Sequence, residues 1–181
     1  MTTTVSSFHA AVKAAISARF GVNVNTVEWY EQGEKTNGQP KLIKTPAIIL
    51  EMESADEGDD AGDDRDPLNC HISAYCILGQ QTTDLQIQVR NFSAQLFALV
   101  RKNKWSLGRA ASFPASITLG PGKFDPEKNG YESWFVSWEQ TIYLGDDIWA
   151  PSGIVPTTVY LGESPLIGTG NEDQYTRVVP Q

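Results

Sequence analysis

The chain has 181 residues, of which 40% are hydrophobic, 20% charged and 10% aromatic. That length suits one domain with a short extension, and the composition is that of an ordinary globular chain rather than a disordered or fibrous one. No stretch approaches the roughly 18 consecutive apolar residues of a membrane helix. The opening Met1-Thr-Thr-Thr-Val-Ser-Ser has neither the basic nor the apolar region of a secretory signal, so none is expected.

The formal charge of −8 is unevenly spread. Asp56, Glu57, Asp59, Asp60, Asp63, Asp64 and Asp66 are offset only by Arg65, so this segment carries −6 and the other 170 residues carry −2. Sequence-independent nucleic-acid binding depends on cations that neutralise phosphates, and this balance argues against it.

Phe8, Val12, Ala15, Ile16 and Phe20 recur at helical spacing, with Ser6 or Ser7 as the expected cap and Gly21 as the stop. Thr26 to Gln32 reads as a strand, Gly33 to Gln39 as a turn or loop, and Pro46 to Glu53 as a second strand with Ile48, Leu50 and Met52 on one face. The acidic segment follows. Leu68 to Leu78 is a third strand. In it, Cys70 and Cys76 share a face about 20 Å apart, too far for a disulfide, so buried free thiols and a reducing compartment are expected.

The period then changes. Leu85, Val89, Phe92, Leu96, Leu99 and Val100 form the stripe of a long amphipathic helix, capped by Thr82 or Thr83 with Asp84 in its first turn. Arg101, Lys102, Lys104, Trp105 and Arg109 follow as the one basic cluster, read as a dipole-matched helix end with Trp105 tucked against the core. Ala115 to Leu119 is a strand and Gly120-Pro-Gly-Lys123 a turn. Tyr131 to Leu144 is a final strand with Trp134, Val136, Trp138, Ile142 and Leu144 on one face and Tyr131, Phe135 and Tyr143 on the other. Fourteen extended residues span about 45 Å, more than such a domain's diameter, so a bulge or an overhang is expected, and something should cover the second aromatic face. Beyond Asp146 the chain turns rich in Pro and Gly, and only Thr157-Thr-Val-Tyr-Leu keeps a strand-like pattern. That arm is expected either to be disordered or to pack on a neighbouring subunit or its own domain.

Chemistry-bearing motifs are sparse. The acidic segment lacks the alternating ligands, central Gly and terminal Glu of a calcium loop, and it reads as a solvated connection between strands. Gly120-Pro-Gly-Lys123 lacks the Ser or Thr of a phosphate loop, with Phe124 in its place. Cys70 and His71 point to opposite faces of a strand and cannot form a thiol–imidazole pair, and His9 is expected on the surface. No metal, cofactor or catalytic residue is assigned.

The opening Phe8-His-Ala-Ala-Val-Lys-Ala-Ala-Ile, the strand Thr45-Pro-Ala-Ile-Ile-Leu-Glu and above all Glu132-Ser-Trp-Phe-Val-Ser-Trp-Glu-Gln-Thr-Ile-Tyr-Leu-Gly145, with Trp149 and Pro151 after it, carry a resemblance. Over residues 5–150 the chain resembles the tail terminator (neck or tail-completion) proteins of long-tailed bacteriophages. The resemblance implies an α/β (α+β) domain over 1–150, with a mixed, mainly antiparallel sheet, two helices on one face, and 151–181 as an extended C-terminal arm. It also implies a structural virion protein with no cofactor, assembled in the host cytoplasm. Six copies would form a ring that caps the tail tube and meets the head connector, while DNA passes through without specific binding. On this reading Asp56, Glu57, Asp59, Asp60, Asp63, Asp64 and Asp66 are candidates to face the bore or a partner. Tyr131, Phe135, Tyr143 and Trp149 are candidates for the subunit interface. Another neck or connector protein, an enzyme of unrecognised type, and a monomeric ligand-binding module using exposed aromatics stay open as alternatives.

Overall fold

A computed structural model describes residues 2–30, 35–36, 39–40, 43–122, 130–147 and 158–178. The chain divides into two compact units, Met1–Ile148 and Trp149–Gln181.

The first unit is a mixed α+β fold. Helix α1 (Val5–Phe20) buries Phe8, Val12, Ile16 and Phe20, the predicted stripe. Its cap is Thr4 rather than Ser6 or Ser7: the Thr4 hydroxyl accepts from Ser7 N at 3.1 Å and the Ser7 hydroxyl accepts from Thr4 N at 2.9 Å. This reciprocal capping box starts the helix at Val5, three residues upstream of the first buried position, Phe8. Gly21 closes it at φ +53°, a conformation that favours glycine. Strand β1 (Thr26–Trp29) follows, then a short antiparallel pair, β2 (Lys35–Thr36) with β3 (Gln39–Pro40), inside the predicted turn region. Strands β4 (Ala47–Glu57) and β5 (Asp66–Gly79) are longer than predicted because both run into the acidic segment. Helix α2 (Leu85–Val100) is capped by Asp84, held at φ +52° with no side-chain cap bond, rather than by a threonine. Strands β6 (Ala115–Pro121) and β7 (Tyr131–Leu144) complete the unit.

The sheet order is β1-β4-β5-β7-β6, with β1 parallel to β4 and every other pair antiparallel. Of the two expectations for β7, a bulge or an overhang, the bulge does not occur against β5. The two strands have equal length and pair residue for residue, from Asp66 with Leu144 to Gly79 with Tyr131. The irregularities lie one strand out, at Met52/Ser54 in β4 and at Ala115/Thr118 in β6. A uniform central ladder therefore coexists with adjustable flanks. Gly120 and Pro121 belong to β6 rather than to a turn, and Gly122 N donates to Ser133 O at 2.9 Å; Lys123 lies outside the described residues.

Both helices cover one face. Ile48, Leu50, Ile72, Ala74, Val136, Trp138 and Ile142 join the helical stripes in one buried cluster. Burial of each large side chain there contributes about 1.5–3 kcal/mol. One of the largest fully buried side chains beside them is polar. Gln140 is 1% exposed, and its Oε1 accepts from the indole N–H groups of Trp105 (2.7 Å) and Trp138 (3.3 Å). Its Nε2 donates to Ser112 O (2.8 Å) and Asn103 O (3.2 Å). This amide ties β7 to the segment after α2, where Lys102, Trp105 and Ser106 all have positive φ. Such backbone costs about 1 kcal/mol or more per residue and persists only where its surroundings hold it.

The second unit is small. Strands β8 (Val159–Leu161) and β9 (Thr176–Val178) pair antiparallel, and Gly168 N donates to the Tyr175 hydroxyl at 2.7 Å. Residues 158–178 are thus ordered as a hairpin-like unit. The strand-like run was visible in the sequence, whereas its partner at 176–178 was not.

Replacing Gln140 by Leu keeps the volume but strands two indole donors and two carbonyls. The expected loss is about 3 kcal/mol or more, read as a lowered urea midpoint.

Candidate functional site

Three features could carry function: the acidic connection, the uncovered sheet face and the clefts beside the helices. The acidic connection is only partly a solvated loop. Asp56, Glu57 and Asp66 lie in strands, and residues 58–65 form the turn, closed by Gly58 N donating to Pro67 O at 3.2 Å. Asp59, Asp60 and Asp64 are exposed, and Asp60 accepts from Gly62 N at 2.8 Å. Asp63 is not exposed. It is 1% accessible and accepts a two-pronged bond from Arg65, itself 5% accessible, with Nε to Oδ1 at 3.0 Å. Arg65 also donates to Arg109 O at 3.1 Å and lies 5.1 Å over the Tyr143 ring, and Arg109 reaches Asp147 at 3.6 Å. The bond from Arg65 holds the Asp63 carboxyl below the usual carboxylate range, overcoming the opposing effect of burial. So the expectation of a solvated connection is corrected at Asp63. The reason is local: two residues on, Arg65 can satisfy both carboxylate oxygens and pin the turn to the end of β7.

The opposite sheet face carries Tyr131, Phe135 and Tyr143, as the alternation predicted; Trp149 lies outside the described residues. Tyr131 is half-buried with its hydroxyl near Ile43 O at 3.5 Å, and a Cβ on Gly120 would stand 3.2 Å from the Phe135 ring, so glycine lets that ring lie across β6. Tyr75 lies on this face too. Burial, followed by the charges of Glu51 and Glu53, raises its pKa. His71 stands between two carboxylates, with Nε2 2.9 Å from Asp56 and Nδ1 3.7 Å from Glu139, an arrangement the sequence did not reveal because its partners come from other strands. Among the described residues no helix covers this face, and no group of three or more His, Cys, Asp or Glu side chains is placed to hold a metal ion.

Two clefts flank the helices. One, of about 530 Å³, lies between the end of α1 and the start of α2, with Phe20, Leu78 and Phe92 below and Arg19, Asn23 and Gln88 at the rim. The other, of about 590 Å³, runs along α1 past Ser7, Ala11 and Ala14 to Trp105 and Leu107. The residues lining them include no Asp, Glu, His or Cys, so neither cleft assembles an acid–base pair. Neither cleft was predicted, since each depends on how separate elements approach one another.

Other predicted residues are resolved one by one. Cys70 and Cys76 are free and buried, and burial pushes their thiols up to about 11 and about 12. Trp105 is 2% exposed and tucked against Trp138, as expected, while Arg101, Lys102 and Arg109 stay exposed and Lys104 lies 4.6 Å over Phe113. His9 is only partly exposed rather than a free surface residue. Its ring stacks on Trp29 at 3.7 Å and 10°, its Nε2 is buried with no hydrogen-bond partner among the described residues, and burial lowers its pKa. Strand β1 lies beside the flank of α1, with Trp29 Nε1 donating to His9 O at 3.0 Å, and helix periodicity alone could not show that.

No protein-family model matches the chain, and no curated protein matches it significantly. The functional reading therefore rests on the geometry and on the sequence pattern.

Because Asp63 has a depressed native pKa, its contribution to stability is complete above the ordinary carboxylate value of about 4 and is lost as pH falls through the lower native value. Urea midpoints of the wild type and Asp63→Asn should differ by a constant amount near neutrality and converge in strong acid. Both thiols should also resist a disulfide reagent in the native protein and react on unfolding.

Proposed function

We propose that the chain is a structural subunit of the tail end of a long-tailed bacteriophage, a tail terminator or a neighbouring neck component, which assembles into a ring around the DNA path. The observation that carries this reading is the half-covered sheet. Strands β5 and β7, fourteen residues each, bury one face under two helices and leave Tyr75, Tyr131, Phe135 and Tyr143 on a face that no helix among the described residues covers. A chain of this size gains stability by covering such a face, and a closed ring does so for every copy. The second unit points the same way, because Val159, Tyr160, Leu161, Leu166, Ile167 and Val178 are all exposed on a few short segments. The order of helix, strands, acidic connection, long helix and Trp-bearing strand fits the resemblance that prompted the reading.

In this role the chain does no covalent chemistry. Its work is to present surfaces: one to its neighbours, one to the tail tube and one to the head connector. The exposed carboxylates of Asp59, Asp60 and Asp64 would repel DNA phosphates if they line the bore, which keeps passage free of adhesion. Asp63 is excluded from that task by its burial against Arg65.

The decisive experiment adds purified protein to uncapped tails and scores joining to filled heads. Capped, infectious particles are expected; tails that remain uncapped and unjoined would overturn the reading. Replacing Asp59, Asp60 and Asp64 together by Asn should lower the yield of joined particles while leaving the unfolding free energy of the subunit, read by urea denaturation, within about 0.5 kcal/mol of wild type.

A further inference from the structure

The two layers of the first unit are oppositely charged. No Lys or Arg occurs in β1, β4, β5, β6 or β7, and the face away from the helices carries Glu51, Glu53, Asp56 and Glu139. The helical layer is the reverse. Neither Val5–Phe20 nor residues 85–109 contain an Asp or Glu, while Lys13 and Arg19 project from α1, Arg90 from α2, and Arg101 and Lys102 follow it, all exposed. This segregation is not needed for the buried cluster between the layers, which is apolar; among the described residues of the first unit the carboxylates of Asp56 and Glu139 meet only His71, and Arg90 lies 5.3 Å over the Trp134 ring.

Both layers also expose apolar surface where a partner would sit. Ile87 on α2 and Val22 just beyond α1 are 50% and 97% exposed, and Tyr75 and Phe135 are only half-buried on the sheet. An interface needs such an apolar centre, and complementary charge around it sets the register and excludes the wrong pairing.

We propose that the sheet face opposite the helices of one copy docks on the helical layer of a second copy, with Glu51, Glu53 and Glu139 set against Lys13, Arg90 and Arg101. The inference rests on the ring reading above and specifies the faces that build it. Sheet against sheet would oppose carboxylate to carboxylate, and helices against helices would oppose cation to cation. Head-to-tail contact is the arrangement that satisfies both. Such a contact uses two different patches on every copy, so it propagates until the rotation closes, as a ring requires. The same alternation of layers would leave the acidic connection free of the interface to meet other partners.

A charge exchange tests this. Glu51→Lys with Glu53→Lys makes the sheet face basic, and Lys13→Glu with Arg101→Glu makes the helical layer acidic. Sedimentation velocity at low salt should show wild-type chain as a multimer that dissociates as salt is raised. Each variant alone should associate at least about tenfold more weakly, because like charges then meet at every contact. An equimolar mixture should recover the wild-type multimer, since each altered face meets its complement on the other variant. Near-ultraviolet circular dichroism checks that the fold is intact. If either double variant is misfolded, Glu53→Lys and Lys13→Glu, single changes at exposed positions, replace them with the same expectations. A wild type that stays monomeric at low salt, a variant that associates as the wild type does, or a mixture without recovery overturns the inference. The tail-joining assay is independent of these measurements. Failed joining by a chain whose charge exchange succeeds would remove the phage role and leave the docking mode standing.

Discussion

The fold hangs on the pairing of β5 with β7. Their unbroken register across fourteen residues sets which side chains face the helices and which face away along the whole middle of the sheet. A slip of one residue would carry Trp138 and Ile142 out of the core and bring Glu139 and Tyr143 in, so the hydrophobic pattern excludes any odd-numbered slip. β4 and β6 then attach to this pair through irregular ladders, and β1 adds a parallel edge that brings Trp29 against α1. The opposite face is a consequence of the same rule, since the strand that buries Trp138 must present its alternate residues on the other side.

Inside that frame Gln140 has a role no hydrophobic residue could take. Four hydrogen bonds converge on one amide, and three of the four partners belong to the segment between α2 and β6. That segment makes sharp left-handed turns at Trp105 and Ser106, which bring the indole inward instead of leaving it beside the exposed cations. A fully satisfied polar group in an apolar layer fixes geometry as well as contributing stability. The cost of the strained turns is therefore met by a specific contact rather than by diffuse packing.

Much of this was legible from periodicity. The bounds of β7, the stripes of both helices and the shared face of the two cysteines followed directly from spacing, because in each case one face is buried and the alternation is clean. What was not legible arises between elements. The His9–Trp29 stack, the His71 carboxylates and the Gln140 bonds join residues 15 to 68 positions apart, and only Gln140 with Trp138 is local. Helix caps were missed by one or two residues for a different reason, since Thr4, Ser6 and Ser7 have similar side chains and the choice depends on the chain's path before the helix. The candidate surface was partly visible, as Tyr131, Phe135 and Tyr143 fell where alternation put them. Its charge is a property of the assembled sheet, because Glu51 and Glu53 come from β4 and Glu139 from β7, and only the strand pairing brings them to one face.

The buried Asp63–Arg65 pair gives the acidic turn an unusual division of labour. Two residues attach it to the end of β7, and the remaining tip residues are left with no structural duty beyond the short bond at Asp60. A turn attached in this way can exchange its exposed side chains through evolution without loosening its root. Chains that meet different partners could then keep one scaffold and vary only the few residues at the tip.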